Sequence, residues 1–192
     1  MSASVKDVLE AQHRRVAELF DQVSRPDLDR PAVLHDLLQE LAAHVAAERS
    51  EVAPVVKSRC GDDLSNQLLG DYEQIERLMV LIERRKFNSP DVPQMVSELK
   101  DVIDAHIARC RTDVFPGLDA ALSPEERSEL GEKVDHADTM VATHPHPHLL
   151  SLGPISSKLT ALLARFDWMR DKTVTSLPSR PDEGDPSMGG AK

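Results

Sequence analysis

Residues 41–56 read LAAHVAAERSEVAPVV. Leu41, Val45, Val52 and Val55 recur at the three- and four-residue spacing that lines one face of a helix. Two residues break the stripe without leaving it. His44 and Glu48 sit four apart, one above the other on the side that should face a core. Residues 103–118, IDAHIARCRTDVFPGL, repeat the pattern with His106 followed four positions later by Cys110. In both stretches a proline stands ten residues after the histidine, at Pro54 and Pro116. The fold and the chemistry follow from what these inward polar side chains do.

Working outward, helical periodicity dominates and strand alternation never persists. A first helix is expected from about Ser4 to Val23, with Val5, Val8, Leu9, Val16, Leu19, Phe20 and Val23 on one face. Pro31 suits the first turn of a second helix, which runs through residues 41–56. A third begins near GDDLSNQLL and reaches about Arg85, and a fourth carries Val92, Met95, Val96, Leu99, Val102 and Ile103 to FPGL. Four amphipathic helices on short links give an all-α fold, an up-down-up-down four-helix bundle. Ser123 with Glu126 forms a capping-box signature and Pro124 follows it, so a fifth helix is expected. THPHPHLL is too proline-rich for a helix, and a last helix is expected from Pro154 to about Thr175. The chain therefore divides into a metal-binding bundle with fifth helix and strap (1–150), a C-terminal helix packed on it (151–177) and a disordered tail (178–192).

Composition narrows the function. Across 192 residues the aromatic share is only 3%, so the core rests on Leu, Val, Ile and Ala, which favours helices packed on helices. The formal charge of −10 repels phosphate backbones and excludes nucleic acid as an expected partner. No apolar run approaches the roughly 18 residues of a membrane span, and MSASVKDVLEAQ has no secretion-signal pattern. With only Cys60 and Cys110 and no disulfide framework, a reduced cytoplasmic setting is expected.

Each bundle helix places a polar residue in its apolar stripe. His13 lies between Leu9 and Val16; His44 and Glu48 lie between Leu41 and Val52. Tyr72 and Glu76 share the face of Leu68, Ile75 and Met79, and His106 and Cys110 follow Val102 and Ile103. Burying such groups unpaired costs a few kcal/mol each, roughly, and an isolated carboxylate far more. Singly, each has a bland explanation, a core residue with one hydrogen bond or a partly exposed ion pair. Four successive helices making the same sacrifice point instead to a metal centre, toward which imidazole, carboxylate and phenolate can turn their lone pairs.

The motifs DVLEAQHRRVAELF, LAAHVAAERSEVAPVV, DYEQIERLM, IDAHIARCRTDVFPGL and LGEKVDHADTMVATHPHPHLL, in this order, resemble the hemerythrin-like proteins with a hemerythrin HHE cation-binding domain. The last run is similar to the end of actinobacterial members. The resemblance covers roughly residues 4–148 and implies two iron ions bridged by an oxo or hydroxo group inside a four-helix bundle. It puts His13, His44, Glu48 and His106 on ligand positions. Two departures stand out. Tyr72 occupies a position where the family usually has a histidine. Cys110 and Arg111 stand where it usually has the second bridging carboxylate. Glu76, Asp113 and Cys110 are the candidates to replace that carboxylate.

A phenolate favours ferric over ferrous iron, so Tyr72 argues against reversible oxygen carriage, which starts from the ferrous form. The expected function is decomposition of hydrogen peroxide at a diferric site, with metal ligands His13, His44, Glu48, Tyr72, Glu76 and His106, and with Tyr72 and Glu76 taking part in catalysis. The alternative is a protein that senses or stores oxygen, nitric oxide or iron without turnover. The donors alone do not fix the metal: iron, manganese and zinc all suit them. The sequence leaves the oligomeric state open, with a monomer compatible with it. His136, His144, His146 and His148 are further metal-capable side chains whose role the sequence leaves open.

Overall fold

The structure, a computed structural model, describes residues 3–25 and 27–143, all of whose regular elements are helical. The helices are α1 (Val5–Val23), α2 (Arg30–Ala47), α3 (Ala53–Cys60), α4 (Asp62–Glu83), α5 (Val92–Arg109), α6 (Phe115–Ala121) and α7 (Pro124–Thr143). Two short π-helical segments complete the order, π1 (Glu48–Val52) between α2 and α3 and π2 (Cys110–Val114) between α5 and α6. The expected C-terminal helix, the histidine-rich strap and the tail lie outside the described residues.

Local chemistry sets the helix ends. Ser4 caps α1 in a capping box with Asp7, each side chain bonding the other's backbone N–H. Pro31 sits in the first turn of α2, where its missing N–H costs nothing. Ser123 and Glu126 form the second capping box, as the sequence predicts, and α7 starts on Pro124. Gly61 turns the chain from α3 into α4 at φ 107°, a backbone conformation that side chains with a Cβ rarely adopt.

The predicted second and fourth helices are each interrupted by a π turn. Ala53 N–H donates to the Glu48 carbonyl and Phe115 N–H to the Cys110 carbonyl, both five residues back rather than four. The prolines supply the reason. Pro54 and Pro116 have no N–H, and in an uninterrupted α-helix their rings would strike the carbonyl four residues earlier. One wide turn relieves the clash and lets the rod continue. The ten-residue interval from histidine to proline thereby sets each π turn to begin four residues after its histidine, at Glu48 and at Cys110.

Packing follows the apolar stripes. The bundle consists of α1, the rod α2–π1–α3, α4 and the rod α5–π2–α6; α2 packs on α1 and α4, and α4 on α5. The lower rods meet where α3 packs on α6, and Gly117 faces Cys60 there: a Cβ on the glycine would lie 3.2 Å from the Cys60 sulfur. Helix α7 lies against α1, α2 and π1, so it is a fifth member laid over the first two. Leu9, Leu34, Leu37, Leu38, Leu41, Leu68, Leu99 and Leu118 are fully buried, giving the aliphatic core that the low aromatic content predicts. No helix among the described residues is long and apolar enough to cross a membrane.

Candidate metal centre

Four bundle elements deliver the polar residues to one place. His13 comes from α1, His44 from the last turn of α2, Glu48 from the first residue of π1, and His106 from the last turn of α5. One ligand atom from each lies within 4.8 Å of all the others, and no residue of the four is more than 2% exposed. The three imidazoles form a triangle, with ring centroids 4.9 Å (His13–His44), 5.6 Å (His13–His106) and 5.8 Å (His44–His106) apart.

Glu48 occupies the middle. Its oxygens stand 4.0 Å from His13 Nε2, 3.7 Å from His44 Nε2 and 3.1 Å from His106 Nε2. Both nitrogens of His13, Nε2 of His44, Oε2 of Glu48 and the phenol oxygen of Tyr72 are buried without a hydrogen-bond partner. Buried polar atoms are rarely left this way, and orphaning several in one spot carries a penalty of a few kcal/mol each, roughly. The atoms converge without satisfying one another. A cation among them would use these lone pairs, and three imidazoles with one carboxylate suit a first-row transition metal.

Charges in the cluster are mutually dependent. Burial opposes ionisation of Glu48, yet the neighbouring imidazoles of His106 and His44 outweigh it and hold the carboxyl well below its ordinary range. Burial, reinforced by His44, lowers the His13 pKa to about 3, and burial lowers that of His44 as well. Both therefore present neutral imidazole, the form that ligates metals. His106 goes the other way. Burial disfavours its charge, but Glu48 and then Asp71 outweigh burial and raise its pKa well above the usual histidine value.

Two supports were not legible in the sequence. Gln12, next to His13 and 7% exposed, places its side-chain oxygen 3.0 Å from His44 Nδ1. It accepts that N–H and leaves Nε2 with its lone pair toward Glu48. Asp71 Oδ2 faces His106 Nδ1 at 3.6 Å, an ion-pair distance too long for a hydrogen bond, and Arg109 grips the same carboxylate at 2.8 and 3.4 Å while also donating to Gln67. Each adjoins a residue that the stripe does single out, His13 or Tyr72, and each occupies the flank rather than the centre of its helix face. The usable signal was general: a ligating imidazole needs a partner for its other nitrogen.

The remaining candidates separate. Tyr72 is fully buried, with its ring centroid 5.8 Å from that of His106 and Arg49 stacked 5.3 Å over it. Burial, then the charge of Glu48, raises the phenol pKa well above 10, so only a cation beside it would draw out the phenolate. Glu76, one turn on, accepts a 3.0 Å bond from Arg49 at the edge of the cluster. Cys110 is buried with its sulfur 3.6 Å from His106 Nε2, and burial followed by the Glu48 charge pushes its thiol up to about 11. Asp113 is exposed and bonds Thr112, and His136 is exposed on α7.

Comparison with known proteins agrees with this geometry. The description "Hemerythrin HHE cation binding domain" matches residues 4–118. The fold is similar to the crystal structure of a hemerythrin HHE cation-binding domain-containing protein from Mycobacterium kansasii, with a TM-score of 0.68 at 20% identity, covering 83% of this chain and 99% of that one. A protein named DNA nickase from Nostoc sp. is 22% identical over 130 residues, which are 66% of this chain and 36% of the nickase. The chain thus spans about a third of that relative's length. With the family match extending over more than half of its residues and a buried His/Glu cluster able to hold a metal ion, this chain belongs to the hemerythrin HHE cation-binding domain family.

Proposed function

We propose that the bundle holds non-haem iron at His13, His44, Glu48 and His106 and decomposes hydrogen peroxide there. The single observation behind this reading is the convergence of orphaned donor atoms in a water-excluded core, with the Tyr72 phenol oxygen among them. An oxygen-bridged iron pair is the arrangement that the family resemblance implies. Bound iron would supply the redox capacity: one peroxide is reduced to water and a second is oxidised to dioxygen, so no outside reductant is consumed.

The chain's own residues would have distinct tasks. The three imidazoles and Glu48 hold the metal. Tyr72 would offer bound iron a hard anionic phenolate oxygen, a donor that favours the ferric state. Glu76 is 12% exposed, close enough to solvent to pass protons in and out, and Arg49 links it to the face of the Tyr72 ring. The acidic surface fits a small neutral substrate, and the charge of −10 speaks against transferring the nickase activity of the Nostoc relative.

Oxygen release from peroxide by the iron-loaded protein tests the reading. Wild type should release oxygen, show a visible phenolate-to-iron charge-transfer band and lose that band in Tyr72→Phe. Glu76→Gln should bind iron normally yet turn over more slowly. No oxygen from either wild type or Tyr72→Phe ends the proposal.

A further inference from the structure

The two halves of the bundle are built alike but equipped unequally. His44 precedes π1 as His106 precedes π2, and each π segment opens on the residue four positions after its histidine. In the first half that residue is Glu48; in the second it is Cys110. We propose that this chain stably holds a single metal ion, ringed by His13, His44, Glu48 and His106, and has lost the position of a second. The inference rests on the metal-binding reading above but not on peroxide chemistry.

Distance makes the first part of the argument. Nitrogen and oxygen donors sit about 2.0–2.2 Å from a metal, so donors around one ion are at most about 4.4 Å apart. Ions of a two-metal site stand about 3.5–4 Å apart, which lets donors at its opposite ends lie up to about 7.5–8.4 Å from each other. The four donors here lie within 4.8 Å of one another, so one ion could reach all of them after a contraction of a few tenths of an ångström. The Tyr72 phenol oxygen, orphaned in the core with its ring 5.8 Å from that of His106, would be available as a further donor.

The fate of the other carboxylates makes the second part. A second ion would need donors beyond Glu48, a further carboxylate above all, and the nearby ones have other partners. Asp71 is held by Arg109 and faces His106 Nδ1, the nitrogen turned away from Glu48. Glu76 bonds Arg49. Asp113 is exposed on π2 and bonds Thr112. Cys110 places only a sulfur near the centre, 3.6 Å from His106 Nε2.

The full chain, loaded with ferrous iron in air and then desalted through a chelating resin, should retain one iron per chain. Its frozen solution should give the EPR signal of isolated high-spin ferric iron, because an oxygen-bridged ferric pair is antiferromagnetically coupled and silent. Two retained irons with no such signal overturn the proposal, and so does retention of none. Cys110→Glu, which restores the missing carboxylate at the start of π2, should raise retention to two and quench the signal. Should that variant fail to fold, the wild-type count and spectrum still decide. Peroxide activity enters neither measurement, so a one-iron protein that releases no oxygen would support this inference while removing the proposed activity.

Discussion

At the residue scale, the centre is a set of side chains whose orientations are set by partners one step further out. Gln12 determines which nitrogen of His44 carries its proton. Gln12→Leu keeps the volume but removes the acceptor, and loss of such a support costs about 10–100-fold in metal affinity. Competition against a coloured chelator should show a loss in that range with the helical content unchanged. The four central donors were legible in the sequence because His13, His44, Glu48 and His106 fall in phase with apolar neighbours. Gln12 and Asp71 were not, because a residue at the flank of a stripe looks the same whether it faces solvent or leans inward to an imidazole.

The scale of elements shows what periodicity reads and what it misses. Helices α1 and α7 lie close to where the apolar spacing and their capping boxes put them, and α4 to where its apolar stripe puts it, since capping and burial there act locally. The π turns were hidden, because a single wide turn barely alters the order of apolar and polar residues. Their trace was Pro54 and Pro116, prolines set inside a pattern that does not stop. Helix α7 depends on a close approach that no local pattern announces. A Cβ on Gly131 would lie 2.5 Å from the Ala3 carbonyl oxygen and 2.9 Å from the backbone of Ser4 and Val5. Backbone cannot step aside as a flexible side chain can. Gly131→Ala should therefore cost about 1–3 kcal/mol, a typical overpacking penalty, read as a lower midpoint in urea unfolding. An unchanged midpoint would show that α7 is free to shift along α1.

For the whole molecule, the buried charges tie stability to pH. His13, and His44 with it, have folded pKa values below the ordinary 6.5, His13 at about 3. Between those values the unfolded chain binds more protons, so stability falls as pH drops below about 6.5. Glu48, depressed from 4.5, adds to the loss once the pH passes below that value. Asp138, raised to about 6 by burial and the charges of Glu40 and Asp135, works in the opposite sense between pH 6 and 3.8. His106, raised, contributes stability that is fully present below 6.5 and fades as pH rises through its folded value. Chelator-stripped protein should thus lose thermal stability steadily from pH 6.5 to 4.5, a loss that His13→Leu reduces; a flat profile would mean that His13 is not buried neutral. The centre that imposes this sensitivity is also what the bundle is organised around, and X-ray absorption at the iron edge of the reconstituted chain tests that most directly. Scattering from several imidazoles in the first coordination shell, diminished in His106→Ala, is the predicted result, whereas an all-oxygen shell without imidazole scattering would contradict it.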